Sequence, residues 1–282
     1  MIKITALLLI SLSTLAHYGS DDRIEYHQIK SEKLKQAASA VAYQVDRPWL
    51  RGITFARFWK MLNYPLKERG ICSDEKFSEQ PTTRSNCSGV LVAPDILLTM
   101  GSCLTQHYCN NDLYYWMFDY HIDTPGVINE KWRSRGYYKC KDILKHVHNP
   151  SESLSYMLIR LNKVVKDRRP IKISDNSNLI GNKLTAMGHQ QGMPLKIAPN
   201  AFAENFSERH FLVSSDIAGE TKGSAIVNKD GELEGILLGG TKNFPDYANE
   251  GCGRSQSLDE KYPLEFALKT GFLKNMLKDI ER

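Results

Sequence analysis

After residue 87 the chain consists of short apolar runs that turn residues separate. The runs are rich in β-branched and aromatic side chains, and they lie at 89–92, 96–99, 114–120, 157–161, 184–187, 211–213, 225–227 and 233–238. Turn signals between them include Pro94-Asp95, Asn149-Pro150, Gly188 and Asp230-Gly231. Many short strands at close spacing, with no helices between them, indicate an all-β barrel or sandwich.

Two segments outside this region have helical patterns. Residues 31–45 predict a short helix that leads into an extended segment. Residues 265–280 place Leu268, Phe272 and Met276 at i, i+4 spacing, which predicts an amphipathic terminal helix despite the interruption at Gly271. No internal repeat or low-complexity stretch is present.

A third segment, residues 47–62, combines aromatic side chains with arginines. Its apolar residues Leu50, Ile53 and Phe58 keep rough helical spacing. We interpret it as a helix whose aromatic face packs on the main domain, because such faces are usually buried. The alternative is a basic, aromatic helix that contacts a membrane surface or a partner.

The composition excludes several classes of protein but does not identify one. Apolar residues make up 41% of the 282 residues and charged residues 24%, which excludes disorder, collagen and coiled coil for the whole chain. The length allows one large domain or two small ones. A net charge of +5 is too small to indicate nucleic acid by itself.

The N-terminus resembles a secretory signal. Lys3 precedes an apolar run that ends at Leu15, and Ala16 follows as a small residue suited to cleavage. The run has about twelve residues, whereas a membrane span needs about 20. We therefore assign residues 1–16 to a cleaved signal peptide and expect a secreted or periplasmic protein. In such an oxidising compartment six cysteines indicate up to three disulfides, and their spacing matches no zinc site.

Three segments of the apolar region carry recognisable motifs. They are Cys87–Cys103 (CSGVLVAPDILLTMGSC), Ser155–Leu161 (SYMLIRL) and Asp216–Ala225 (DIAGETKGSA). The first resembles the disulfide-bracketed segment around the catalytic histidine of trypsin-like serine proteases. The second resembles the D-x-A-L-I-R/K-L strand that opens with the catalytic aspartate, and the third is similar to the nucleophile loop G-G-N-S-G-S-P.

Further stretches are similar to secreted bacterial members of that family. They are Gly188-His189, Gly192–Ala198 and Asp230–Leu237. The motifs follow the family order from about Cys72 to Cys252. The resemblance implies two six-stranded antiparallel barrels with a C-terminal helix, over a domain at residues 38–282 that follows a leader segment at 17–37.

The positions that carry the family's chemistry are changed. Ser102 stands at the histidine position, Ser155 at the aspartate position and Lys222 at the nucleophile position. At the oxyanion hole, which the backbone amides around residue 222 would form, Glu220 replaces a glycine. Acyl transfer needs a hydroxyl, an imidazole and an orienting carboxylate in these places, so we expect an inactive serine protease homologue.

Two of the changed positions leave an alternative open. In the family fold the histidine and serine positions are neighbours, so Ser102 would face Lys222. Serine with lysine as general base is a known catalytic arrangement. Asp216 lies at the position of the family's specificity pocket. It either receives a basic side chain or caps a turn.

Other candidates are weaker. His146 and His148 suggest a metal, but a solvated turn before Asn149-Pro150 explains them better. His189 is interpreted as a structural histidine. The basic run 163–172 invites an anionic partner, but we prefer the interpretation as a solvated loop after a strand.

The resemblance also implies a disulfide. Cys87 and Cys103 bracket the histidine position and should be bonded, as in the family. For the remaining cysteines we propose Cys109–Cys140 and Cys72–Cys252. Three pairings of those four cysteines stay open on sequence grounds.

The sequence thus predicts a secreted pseudoprotease that acts as a protein-binding, regulatory or decoy module. Its partner would be a protein or peptide, such as an active protease, its substrate or its inhibitor. We expect no cofactor, no metal, no nucleic acid and no membrane-surface contact, and we expect a monomer. The competing hypotheses are a peptidase that uses Ser102 with Lys222, and an electrostatic adhesion module that uses residues 47–60 and 163–172.

Overall fold

Two closed barrels of six strands each form the body of the protein. The computed structural model describes residues 16–53, 58–84, 87–129, 137–175, 178–205, 207–217, 221–240, 251–258 and 265–280. The predicted signal peptide lies outside these ranges, apart from Ala16. All neighbouring strands in both barrels are antiparallel. The two-barrel fold expected from the sequence is therefore confirmed.

The first barrel takes its strands from the N-terminal half of the chain. They are β2 (Val41–Asp46), β7 (Ser88–Ala93), β8 (Ile96–Thr99), β9 (Tyr114–Met117), β12 (Tyr138–Asn149) and β13 (Leu154–Leu161). Around the barrel they follow the order β12-β13-β8-β7-β2-β9. Strands β7 and β8 are buried along their whole length, as expected for runs of branched apolar side chains.

The second barrel follows in the C-terminal half. Its strands are β14 (Lys183–Gly188), β15 (Lys196–Asn205), β16 (His210–Ser214), β17 (Ala225–Val227), β18 (Leu233–Gly239) and β20 (Glu265–Lys269). Their order is β14-β15-β16-β20-β18-β17. One cluster of buried side chains includes Leu98 and Met157 from the first barrel with Ile197 and Val227 from the second. The barrels therefore share a continuous core.

The remaining strands and the helices lie outside the two barrels. The strands are β1 (Ala16–Tyr18), β3 (Leu50–Ile53), β4 (Phe58–Met61), β5 (Tyr64–Pro65), β6 (Pro81–Thr82), β10 (Ile122–Thr124), β11 (Val127–Ile128) and β19 (Gln256–Leu258). The α-helices are α1 (Glu32–Ser39), α2 (Gln106–Asn110) and α3 (Leu273–Ile280). The helix predicted before β2 is thus present as α1, whose N-cap Ser31 accepts a hydrogen bond from Leu34 N. Among the described residues, no helix is long and apolar enough to cross a membrane.

The prediction of a helix at residues 47–62 is wrong. A 3-10 turn at Arg47–Trp49 leads instead into the antiparallel pair β3 and β4, with Leu50 opposite Met61. Both of these side chains are buried in a cluster with aromatic side chains of the first barrel. The segment's β-branched and aromatic side chains favour a strand, and this packing outweighs a helical spacing that was only approximate.

The terminal helix is shorter than predicted. Residues 265–269 form β20, which pairs with both β16 and β18, and α3 begins only at Leu273. Without β20 the second barrel would leave two strand edges unpaired, so backbone hydrogen bonding decides against a helix there.

The interpretation of His146 and His148 as part of a solvated turn is also wrong. Both lie in β12, a strand of twelve residues that sequence patterning missed. Its exposed positions carry Lys141, Lys145 and both histidines, so no apolar alternation marks it.

The six cysteines form Cys72–Cys252, Cys87–Cys103 and Cys109–Cys140, which are the three pairs expected above. No cysteine is free. Three disulfides in one chain are typical of proteins outside the reducing cytoplasm, and they indicate an extracellular location.

Candidate functional site

The junction of the two barrels contains the turn that follows β8. Cys103 ends this turn, and its bond to Cys87 ties the turn back to the start of β7. Ser102 lies in the turn and is exposed, whereas Gly101 and Cys103 on either side are buried. The disulfide therefore presents the side chain at position 102 on the surface of the junction.

Ser155 lies against the same turn from the side of β13. It is 4% exposed, and a Cβ added to Gly101 would be 3.0 Å from Ser155 Oγ and only 2.2 Å from Val147 O. Gly101 thus permits a close approach that a side chain would block. Gly101 O also accepts a hydrogen bond from Nε2 of His146 at 2.8 Å.

Lys222 reaches the junction from the second barrel. Its carbonyl oxygen accepts a hydrogen bond from Ser88 N at 2.8 Å, which bridges the segment to the start of β7. The next residue, Gly223, has a φ of +77°, and a Cβ there would lie 2.2 Å from Ser88 O and 3.3 Å from Met100 N. Positions 102, 155 and 222 therefore meet at one junction.

A cavity of 390 Å³ opens beside these positions. Met100, His148 and Ser155 line one side and Leu238 and Phe266 the other, so both barrels contribute to a mainly apolar wall. Such a cavity suits an apolar side chain of a bound peptide or protein.

His148 is the site residue whose role the sequence did not reveal. Its Nδ1 and Ser155 Oγ form a hydrogen bond of 2.9 Å. Cross-strand pairing of β12 and β13 brings them together, because His148 stands directly opposite Ser155. The pair holds the Ser155 hydroxyl in the cavity wall.

The Ser102 and Lys222 side chains do not form the alternative catalytic pair in this structure. Among the residues that the structure describes, neither Ser102 Oγ nor Lys222 Nζ takes part in a hydrogen bond. A serine nucleophile with a lysine base needs these atoms within about 2.6–3.2 Å of each other. The geometry therefore gives this arrangement no support.

Asp216 is buried, with 3% of its surface exposed. Its Oδ2 accepts a hydrogen bond of 2.7 Å from the backbone N–H of Asp22, in the N-terminal segment. The neighbouring Arg23 is also buried and donates to Gln190 Oε1 at 2.8 Å. The segment continues as an antiparallel bridge between Ile24 and Ile197. The Asp216 carboxylate thus holds the chain's own N-terminal segment against the second barrel.

The structure describes some, but not all, of the other predicted positions. Glu220 is not among the described residues. His189 is buried, its Nδ1 donates to Met193 O at 3.2 Å, and burial lowers the pKa of its imidazole to about 3. Arg168, in the basic run 163–172, is not solvated but makes two hydrogen bonds to Asp119. Within the described ranges, no group of three or more His, Cys, Asp or Glu side chains is arranged to bind a metal.

The fold resembles that of solved serine proteases. The structure of neuropsin, a serine protease expressed in the limbic system of mouse brain, matches 71% of this chain and 90% of its own, with a TM-score of 0.50 and 19% identity. Kallikrein-related peptidase 10 matches 70% of this chain and 90% of its own, with a TM-score of 0.48 and 14% identity. No protein-family model and no curated protein sequence matches the chain. The neuropsin likeness supports a trypsin-like protease fold.

Proposed function

We propose that this protein is a catalytically inactive homologue of the trypsin-like serine proteases that binds a protein or peptide partner. The observation that carries the proposal is the chemistry at the barrel junction. Ser102, Ser155 and Lys222 supply two hydroxyls and an ammonium where the family has a histidine, an aspartate and a serine. Loss of a catalytic triad as a unit lowers turnover roughly a millionfold.

The retained features suit binding. The 390 Å³ cavity has an apolar wall from both barrels, and the Cys87–Cys103 disulfide holds the adjacent turn in place. A preformed concave surface binds without a large ordering cost. The partner is an active protease, its substrate or its inhibitor, which this protein sequesters or regulates as a monomer. Residues 1–16 act as the signal peptide, residues 17–37 as the leader and 38–282 as the domain of a secreted or periplasmic protein.

A fluorophosphonate probe tests the loss of catalysis. The disulfide-intact protein should remain unlabelled under conditions that label trypsin fully. Labelling that disappears in Ser102→Ala would restore the serine–lysine hypothesis. Labelling that disappears in Ser155→Ala would identify the hydroxyl beside His148 as a nucleophile, and either result overturns the proposal.

Binding at the cavity is tested by affinity capture from the native secretome, with quantitative mass spectrometry. Pro150 is exposed and lines the cavity, whereas Ser151 is exposed in the same turn but does not line it. Pro150→Trp should abolish capture of a specific protein that Ser151→Trp retains. Equal capture by both variants contradicts a binding role for the cavity.

A further inference from the structure

A second concave site lies in the long insertion between β2 and β7, and it shares no lining residue with the cavity described above. Its volume is 540 Å³, and its lining combines the aromatic rings of Trp49 and Tyr64 with the cations Arg69 and Arg84. Tyr64 is 53% exposed, although its ring packs edge-on against Trp49 at 6.0 Å between centroids. An exposed aromatic ring that packs on a half-buried one, beside arginines, is typical of a binding surface.

The walls of this aromatic–arginine pocket are rigid. Strands β5 and β6 pair Tyr64 with Thr82, and Thr82 Oγ1 also donates to Tyr64 O at 2.9 Å. Thr83 N donates to Gly192 O of the second barrel at 3.1 Å. The disulfide Cys72–Cys252 ties the insertion to a distant part of the chain. A ligand would therefore meet a preformed site, which lowers the entropic cost of binding.

The arginines of this insertion differ from its paired lysines. Lys67 pairs with Glu79 and Lys76 with Asp21, so these two lysines are neutralised. In contrast, none of the four arginines of the insertion that the structure describes has a carboxylate oxygen within 4.0 Å in the described part of the chain; they are Arg47, Arg51, Arg69 and Arg84.

Fewer carboxylates than guanidinium groups lack an ion-pair partner in this region. Glu68 at the pocket rim has no ion pair in the described part of the chain. Asp46 is half-buried, and burial raises the pKa of its carboxyl to about 6 even though the charge of Arg84 opposes that shift. Among the described residues, four guanidinium groups without an ion pair thus outnumber these two carboxylates, and two of the four, Arg69 and Arg84, line the pocket.

From this geometry we infer that the aromatic–arginine pocket binds an acidic peptide segment of a partner protein, with an apolar or aromatic side chain of the segment against Trp49 and Tyr64 and its carboxylates on Arg69 and Arg84. Guanidinium groups bind carboxylates through paired hydrogen bonds. Arg69 already donates to Gln191 O at 2.9 Å, which holds its side chain in position. This inference deepens the proposed binding function and rests on it.

Fluorescence anisotropy tests the inference with a labelled peptide in which one phenylalanine is flanked by glutamates. The disulfide-intact protein should bind it at low salt and lose affinity as salt rises. Arg84→Gln should weaken binding about tenfold, because it removes a charge-assisted hydrogen-bond pair. Arg84→Lys should recover part of the loss, since lysine keeps the charge without the planar fork.

Matched substitutions elsewhere supply the controls. Arg169 is an exposed arginine outside the pocket, and Arg169→Gln should leave the affinity unchanged. Phe202 is 45% exposed on the second barrel, so Phe202→Ser controls for Tyr64→Ser, which should weaken binding. Equal effects of Arg84→Gln and Arg169→Gln would show non-specific attraction and overturn the inference.

The chemistry of the occupant is tested separately. If Arg84→Gln weakens binding to phosphatidylserine vesicles or heparin but leaves peptide binding unchanged, the acidic peptide is the wrong occupant. Failure of peptide binding is distinguishable from failure of the proposed function. The fluorophosphonate result reports on the barrel junction alone, and it does not depend on the aromatic–arginine pocket.

Discussion

The ion pair between Arg168 and Asp119 is the contact that we expect to hold the basic run 163–172 in place, and breaking this pair tests that role. Nη1 and Nη2 of Arg168 donate to the two oxygens of Asp119 at 3.0 and 2.8 Å. Only 5% of the Arg168 side chain and 10% of the Asp119 side chain are exposed. Arg168 also donates to Ser39 O at 2.8 Å, so the pair fixes the run to the first barrel.

Asp119→Asn removes one charge with almost no change of shape. Asp119 has a φ of +66°, a conformation that asparagine tolerates, so the substitution adds little backbone strain. Breaking one side of a buried ion pair leaves an uncompensated charge and costs about 3 kcal/mol. The neighbouring Asp167 still pairs with Arg168 and keeps the cost at this lower end of the range. The melting temperature should fall by about 6–12 °C for a protein of this size.

Urea unfolding followed by circular dichroism, under oxidising conditions, measures the loss. Asp230→Asn is the matched control, because Asp230 pairs with Lys33 and Lys229 on the exposed surface. This variant should unfold at the same urea concentration as the wild type. If Asp119→Asn is as stable as Asp230→Asn, the basic run is not held by the buried pair, and the structural role assigned to Arg168 is refuted.

Two further predictions concern other buried positions. Burial lowers the pKa of His189 to about 3, so the unfolded chain binds more protons than the native one between pH 6.5 and 3. The contribution of His189 to stability is therefore complete above pH 6.5, and it falls by about 1.4 kcal/mol per pH unit below that value. Chemical denaturation of His189→Gln should therefore show a free energy of unfolding that falls less steeply with pH below 6.5 than in the wild type. Equal slopes in the two proteins would contradict the assignment. Gly101→Ala should lose about 1–3 kcal/mol, because its Cβ would lie 2.2 Å from Val147 O; Gly271→Ala, where Ser174 O is 3.8 Å away, should lose much less, and equal losses would refute the close approach.

Much of the barrel architecture follows from local sequence. The runs of β7, β8 and β18 have branched apolar side chains and end at turn residues, and these local preferences agree with the tertiary fold. Patterning failed where barrel closure overrides local preference. Residues 265–269 have helical spacing, yet they form β20 because the backbone groups of β16 and β18 need a partner.

The candidate site, too, could be predicted from the sequence only in part. The order of the motifs predicted Ser102, Ser155 and Lys222 as residues of one site, because the segments around them resemble those of the proteases. The hydrogen bond between His148 and Ser155 could not be foreseen, since it depends on the register of β12 against β13. Register is set by the hydrophobic pattern of the strands and by the geometry of the turn between them, and β12 has no apolar alternation that would reveal it.

The sequence by itself determined the strand-rich region, the cysteines and the residue types at positions 102, 155 and 222, because these are properties of residue type and short spacing. Only the tertiary structure decided that Asp216 holds the backbone of Asp22, that Arg168 is buried on Asp119, and that Arg84 lines one pocket with Trp49 and Tyr64. These contacts join residues far apart in the chain. Their energies depend on burial and geometry, which chain order does not encode locally.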